Sequence, residues 1–214
     1  MTGRPARHLV AFVKAPRLGR VKTRLARDVG DVAAWRFYRE ATRSLLNRLA
    51  GRGRWLCWLA VTPDGTSRAR FCAPREWQIL AQGTGNLGAR MGRVMRSLPP
   101  GPAVIVGTDV PDIRPEHVVQ AFRHLGRHAA VFGPAPDGGY WLVGLRRRPR
   151  YPDLFTGVRW STPHALGDTL RNLPGNDRVP PFLETLEDID DGAALARLRR
   201  HQVDHQLTGC GLRT

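Results

Sequence analysis

The sequence predicts one α/β domain built on an open, mostly parallel twisted sheet, and three observations predict it. Short apolar runs alternate with stretches of helical periodicity along the whole chain. Glycines and charged residues cluster in the loops that follow those apolar runs. No internal repeat or linker divides the 214 residues, a length sufficient for one substantial core, expected over about residues 8–200.

The elements follow in order. "HLVAFV" (8–13) is a short buried strand that ends in a Pro- and Gly-bearing loop. Ala33, Ala34, Phe37, Tyr38, Ala41, Leu45 and Leu49 then recur at helical spacing. "RWLCWLAV" (54–61) and "WQILAQ" (77–82) read as further strands, and "GTGNLG" leads from the second into a helix over "ARMGRVMRSL". "PAVIVGTD" (102–109) is another buried strand, after which Pro115 opens a helix at its first turn. Two strands, "AAVFGP" (129–134) and "YWLVGL" (140–145), precede a helix after "WSTP", a short "FLETLEDID" segment and a closing helix over about 191–201.

Composition narrows the function classes. A hydrophobic content of 42% with six Trp excludes disorder, and no apolar run is long enough for a signal or a membrane span. The three cysteines, Cys57, Cys72 and Cys210, lack any metal-ligand or disulfide spacing, so a reduced, cytoplasmic protein is expected. The net charge of +16 would suit a polyanion partner. Yet arginine is spread throughout, and the densest run, "LRRRPR" (145–150), carries no aromatics and no nucleic-acid-binding motif. A solvated basic surface that also attracts a small phosphate-bearing ligand is the expectation.

In such sheets ligands lie outside the carboxyl ends of the strands. Both lysines of the chain, Lys14 and Lys22, fall in "FVKAPRLGRVKTRLA", the loop after the first strand. It is not a P-loop, because Val21 precedes Lys22 and Arg17 stands where an earlier Gly is needed. A loop holding Gly19 with Lys14, Arg17, Arg20, Lys22 and Arg24 can still grip phosphate oxygens. Lysine offers a compact, mobile charge where arginine offers a rigid fork, which gives the choice of lysine here a reason. Gly85 and Gly88, after the third strand, are candidates for the same nucleotide.

Carboxylates form the other half. Asp109 ends a buried strand in "GTDVPDI", and Asp188 and Asp190 in "EDIDD" share one side if that segment is extended. Oxygen ligands converging from three places suit Mg²⁺ or Mn²⁺. Asp191 is expected to cap the last helix. "PDGGYW" offers Asp137, Gly138, Gly139 and Tyr140 as a wall for an acceptor or sugar, or alternatively as a tight turn between two strands. Trp160, Ser161 and Thr162 are weaker candidates beside it, and no histidine shows nucleophile or ligand spacing.

"FVKAPRLGRVKTRLA", "LGARM", "GTDVPDI", "GPAPDGGYWLVGL", "GVRWST" and "EDID", in this order, resemble the DUF2064 family of glycosyltransferase-A-like proteins. That family is also described as arsenosugar-biosynthesis glycosyltransferases, and is similar to 2-phospholactate guanylyltransferases and molybdenum-cofactor nucleotidyltransferases. The resemblance implies a three-layer α/β/α sandwich of the nucleotide-diphospho-sugar transferase (GT-A) fold. It also implies a metal-binding role for Asp109 and for the later pair Asp188 and Asp190. The chain departs from the pattern at Leu18, at Asn86 and in "DIDD".

The chemistry expected is metal-dependent transfer from an activated nucleotide, with Asp109, Lys14, Lys22 and Arg24 catalytic. The resemblance favours glycosyl transfer from a nucleotide-diphospho-sugar to a small acceptor. Nucleotidyl transfer from an NTP to a phosphorylated acceptor, with release of pyrophosphate, and noncatalytic nucleotide or nucleic-acid binding are the alternatives.

Overall fold

The computed structural model describes residues 6–51, 53–147, 152–175 and 180–209, with the backbone alone at 201–209. Arg148 to Arg150 of the basic run, and Cys210, lie outside the described residues.

Six strands form one sheet: β1 (His8–Lys14), β2 (Leu56–Thr62), β3 (Trp77–Ala81), β4 (Ala103–Gly107), β5 (Ala130–Pro134) and β6 (Tyr140–Leu145). Their order is β3-β2-β1-β4-β6-β5. β1, β2, β3 and β4 pair in parallel, while β6 is antiparallel to both β4 and β5. Helices α1 (Thr23–Val29), α2 (Asp31–Leu49), α3 (Leu87–Ser97), α4 (Pro115–His124), α5 (Ala165–Arg171) and α6 (Gly192–Gly209) complete the chain.

Strand alternation sorts the core into two layers, as the period of two demands. Leu9, Ala11 and Val13 of β1 and Val104 and Val106 of β4 face one side, with Leu45, Leu46 and Leu49 of α2 and Val118 and Phe122 of α4. Val10, Ala103 and Ile105 face the other, with Met91, Val94 and Met95 of α3. The result is the three-layer α/β/α sandwich expected. A third cluster joins Leu25 of α1 to Ala34 of α2 and to Ile189, Leu195 and Leu198 around α6.

Several boundaries differ from expectation for identifiable reasons. β4 stops at Gly107, because Thr108 and Asp109 turn away and Thr108 Oγ1 donates to Phe12 O (3.3 Å). β2 begins at Leu56, since Trp55 folds inward to donate from Nε1 to Leu49 O (3.0 Å). α1 escapes the hydrophobic pattern because it buries Leu25 alone over its seven residues. α6 runs to Gly209, past the expected end near 201. Residues 135–139 form the turn between β5 and β6, and the "FLETLEDID" segment runs beside β5, bridging Phe182 to Phe132 and donating from Leu186 N to Pro134 O (3.2 Å).

β1 lies between β2 and β4, so successive crossovers leave it in opposite directions. A crevice opens at such a switch point, at the carboxyl ends of β1 and β4. No helix among the described residues is long and apolar enough to cross a membrane.

Candidate functional site

The crevice is built around Lys22. Its Nζ lies 2.8 Å from Asp109 Oδ1 and 2.8 Å from Asp190 Oδ1, with the lysine side chain only 5% exposed. Lys22 immediately precedes α1 and has φ 48° and ψ 45°, a left-handed conformation that a non-glycine residue adopts at a cost of about 1 kcal/mol or more. The two ion pairs and the burial of Val21 beside it hold the strained turn in place. Arg24 adds a longer contact to Asp190 Oδ2 (3.8 Å) from an exposed position.

Burial opposes charge on Lys22, but Asp109 and Asp190 outweigh it and raise its pKa. Asp188 is pushed up to about 6 by burial and by the adjacent charge of Asp190, to which its protonated form donates. Asp190 is held below the usual carboxylate range, its burial overcome by Lys22. Ile189 between them is buried and donates from its N to Asp109 O (3.1 Å), which fixes this extended segment against the end of β4. Asp191 turns outward and caps α6, its Oδ1 accepting from Ala194 N (2.7 Å).

Lys14 ends β1 with an exposed side chain and a clamped backbone. Its N donates to Tyr38 Oη (3.0 Å), and the same hydroxyl donates to Lys14 O (2.7 Å). Burial, and then Asp109, push the Tyr38 hydroxyl up to about 12, so it stays protonated and keeps both bonds. Lys14, Arg20, Lys22, Arg24 and Arg90 surround a cavity of about 490 Å³, with Asp109 and Asp190 in its wall.

Arg90 and its support escaped the sequence reading, although Arg90 lies in the quoted "LGARM". Gln82 is buried, donates from Nε2 to Val13 O (3.1 Å) and Ala60 O (2.7 Å), and accepts at Oε1 from Arg90 Nη1 (2.9 Å). A glutamine that satisfies two strands is thereby the post that aims a guanidinium at the crevice. Tyr38 was legible only as one apolar position of a helix.

The glycines expected at the nucleotide serve packing and turns instead. Gly19, Gly85 and Gly88 do not line the cavity. Gly88 is buried, and a Cβ there would meet the Trp160 ring at 2.6 Å, so its absence lets α3 rest on that indole. Gly85 and Gly19 take φ of 100° and 67°, and Asn86 caps α3 by accepting from Ala89 N (2.9 Å).

A second cavity of about 360 Å³ adjoins the first and shares Leu87, Gly107 and Asp109 with it. Asp137, Gly139, Tyr140, Trp160, Ser161 and Asp188 also line it. The "PDGGYW" segment is the β5–β6 turn and a cavity wall at once. Asp137 Oδ1 accepts from Gly139 N (2.9 Å). Gly138 is absent from the wall, and a Cβ on it would strike Pro163 O at 2.2 Å, so this glycine admits protein backbone. Tyr140 packs edge-on against Phe132 and Trp160. The loop with Trp160, Ser161 and Thr162 is anchored by Asp168, which is 4% exposed and accepts from Arg159 N (3.0 Å), Nε (2.9 Å) and Nη2 (2.9 Å) and from Arg171.

Whether a divalent cation fits is answered by Lys22. Two carboxylate oxygens from distant parts of the chain already converge on one cationic atom. These hard donors fit Mg²⁺ or Mn²⁺ completed by phosphate oxygens and water. The expected cage of three carboxylates is not formed, however: no group of three acidic, His or Cys side chains among the described residues is disposed around one ion. Lys22 stands between Asp109 and Asp190, while Asp188 faces the second cavity.

The sequence profile of the family described as "Uncharacterized protein conserved in bacteria (DUF2064)" matches residues 45–162. No curated protein matches the chain in sequence. A crystal structure of a candidate nucleotide-diphospho-sugar transferase from Desulfovibrio desulfuricans G20 is 30% identical, with a TM-score of 0.81 over 91% of this chain and 87% of that one. Glucosyl-3-phosphoglycerate synthase from Mycobacterium tuberculosis, solved with Mn²⁺, UDP and glucosyl-3-phosphoglycerate, has a TM-score of 0.57 at 10% identity, over 99% of this chain and 82% of that one. The 4-diphosphocytidyl-2C-methyl-D-erythritol synthase from Anaerococcus prevotii DSM 20548 has a TM-score of 0.59 at 8% identity, over 92% and 98%. The last two likenesses are of fold, the GT-A-type sandwich, alone.

Proposed function

This chain belongs to the DUF2064 family, and on that premise we propose that it is a metal-dependent glycosyltransferase, moving a sugar from a nucleotide-diphospho-sugar to a small acceptor. One observation carries the reading: a cationic cavity built on Lys14, Lys22, Arg20, Arg24 and Arg90 meets a carboxylate-lined cavity at Asp109. The first suits a diphosphate, and the second suits the transferred sugar and its acceptor. The name of the 30%-identical relative agrees with this choice.

In the proposed reaction an acceptor oxygen forms a bond to the anomeric carbon as the bond from that carbon to the diphosphate oxygen breaks. The electron pair departs on the diphosphate, and the acceptor proton passes to a carboxylate of the second cavity. Lys14, Lys22 and Arg24 stabilise the charge that grows on the leaving group. Asp109 and Asp190 would hold Mg²⁺ or Mn²⁺, which supplies further neutralisation of the diphosphate. Lys22 is nearly buried between Asp109 and Asp190, so a cation taken up by those carboxylates would turn its ammonium toward the diphosphate. Gly139, Asp137 and Tyr140 bound the space left for the acceptor.

Nucleotidyl transfer is the second reading, favoured by the size of the cationic cavity, which suits a triphosphate as well. A thermal-shift panel of NTPs and NDP-sugars with Mg²⁺ or Mn²⁺ separates the two. Stabilisation by NDP-sugars supports glycosyl transfer, stabilisation by NTPs alone supports nucleotidyl transfer, and stabilisation by neither overturns both.

A further inference from the structure

The two cavities have opposite electrical character although they share a wall. The one at β1 draws five cationic side chains to its rim. Among the described residues, the one at β6 is lined by no Lys, Arg or His, and three carboxylates, Asp109, Asp137 and Asp188, face it. The arginine in the adjoining loop is committed elsewhere: Arg159 places Nε and Nη2 on the two oxygens of Asp168, each at 2.9 Å. Lys22 is held on the other side by Asp109 and Asp190.

The remaining wall is aromatic and hydroxylic. Tyr140 and Trp160 border it with aromatic residues, Ser161 and Thr162 with hydroxyl-bearing ones, while the Trp141 side chain is buried in the core layer on the other face of β6. The Trp160 Nε1–H is buried and has no partner among the described residues. Ser161 has φ 60°, so this wall is also where the backbone is strained. Aromatic faces stack on the C–H face of a sugar-like ring, and carboxylates accept from its hydroxyls. Even with Asp109 given to a metal, a phosphate brought here would meet Asp137 and Asp188 with no Lys, Arg or His in the lining to balance them.

We propose that the second cavity is an acceptor subsite for an uncharged or cationic hydroxylated molecule, and that it discriminates against phosphorylated acceptors. This deepens the glycosyl-transfer reading and rests on it for the word acceptor. It also counts against nucleotidyl transfer, in which the acceptor is itself a phosphate.

The test titrates the metal-free full chain by calorimetry with three probes of one shape: methyl α-glucoside, glucosamine and glucose 6-phosphate. The first two should bind saturably, and glucose 6-phosphate about tenfold more weakly or worse, the scale of one partly screened like-charge contact. D137N, which keeps an oxygen for the Gly139 turn, should narrow that ratio, and D137K should reverse it. W160F should weaken the neutral probe while circular dichroism stays unchanged. Equal or tighter binding of glucose 6-phosphate by the wild type, or saturable binding of none of the three, overturns the proposal. UDP titrated separately reports on the donor reading. If UDP binds and glucose 6-phosphate wins, the acceptor assignment falls alone. If the neutral probes bind and UDP does not, the cavity's preference stands and the transfer reading falls.

Discussion

Lys22 Nζ lies 2.8 Å from Asp109 Oδ1, joining the loop after β1 to the loop after β4. Asp190 completes the bridge from the far end of the chain at the same distance. Replacing this cation with a neutral side chain leaves two carboxylates facing each other. Both are roughly half exposed, so solvent screens much of their repulsion. Lys22→Gln should therefore cost about 1–2 kcal/mol in urea unfolding at pH 7. Added MgCl₂ should return part of that loss, and a variant as stable as wild type without metal would contradict the bridge.

Asp109 can lose its charge while the fold persists, because Asp190 still pairs with Lys22. Its backbone oxygen, not its side chain, accepts from Ile189 N. Asp109→Asn should keep the wild-type circular dichroism while turnover at saturating Mg²⁺ or Mn²⁺ falls by about 10²-fold or more. Full turnover in the variant would remove Asp109 from the chemistry.

Lys14 permits a clean truncation, because Tyr38 holds its backbone from both sides. Lys14→Ala should weaken UDP binding about tenfold by calorimetry while the melting temperature stays put. Tyr38→Phe should weaken binding less and lower stability more, since it removes the clamp and keeps the charge.

Asp168 supplies the pH prediction. Hydrogen bonds from Arg159, and then its charge and that of Arg171, hold the Asp168 carboxyl well below the usual range. A depressed native pKa means that the unfolded chain takes up the proton first as pH falls. The stabilisation is thus complete above the ordinary Asp value near ~4 and is lost on acidification toward the native pKa. Asp168→Asn should lower the urea midpoint at pH 7 and differ less from wild type at pH 3. The same variant should weaken acceptor binding through the loop bearing Trp160.

Much of the fold was legible because it follows from local pattern. Apolar runs of strand length, helical spacing and Pro115 at a helix start each act within a few residues. α1 was not legible, since seven residues with one buried leucine give no period to read. The position of β6 between β4 and β5 was also hidden, because antiparallel insertion is a choice of partners that no strand encodes alone. At the site, Lys14, Lys22 and Asp109 stood out by type and by following strands, whereas Gln82, Tyr38 and Arg90 looked like ordinary helix and strand-end residues.

By itself, the sequence determined the chemistry available: two lysines in one loop, acids after a buried strand and near the C-terminus, and an aromatic turn between two strands. Tertiary structure alone decided how these groups are shared out. Lys22 bridges Asp109 and Asp190, and Asp188 turns to a separate cavity. The reason is physical: electrostatic energy depends on separation in space and on burial. Both are set here by pairing β1 with β4 and by tethering residue 189 to the end of that strand.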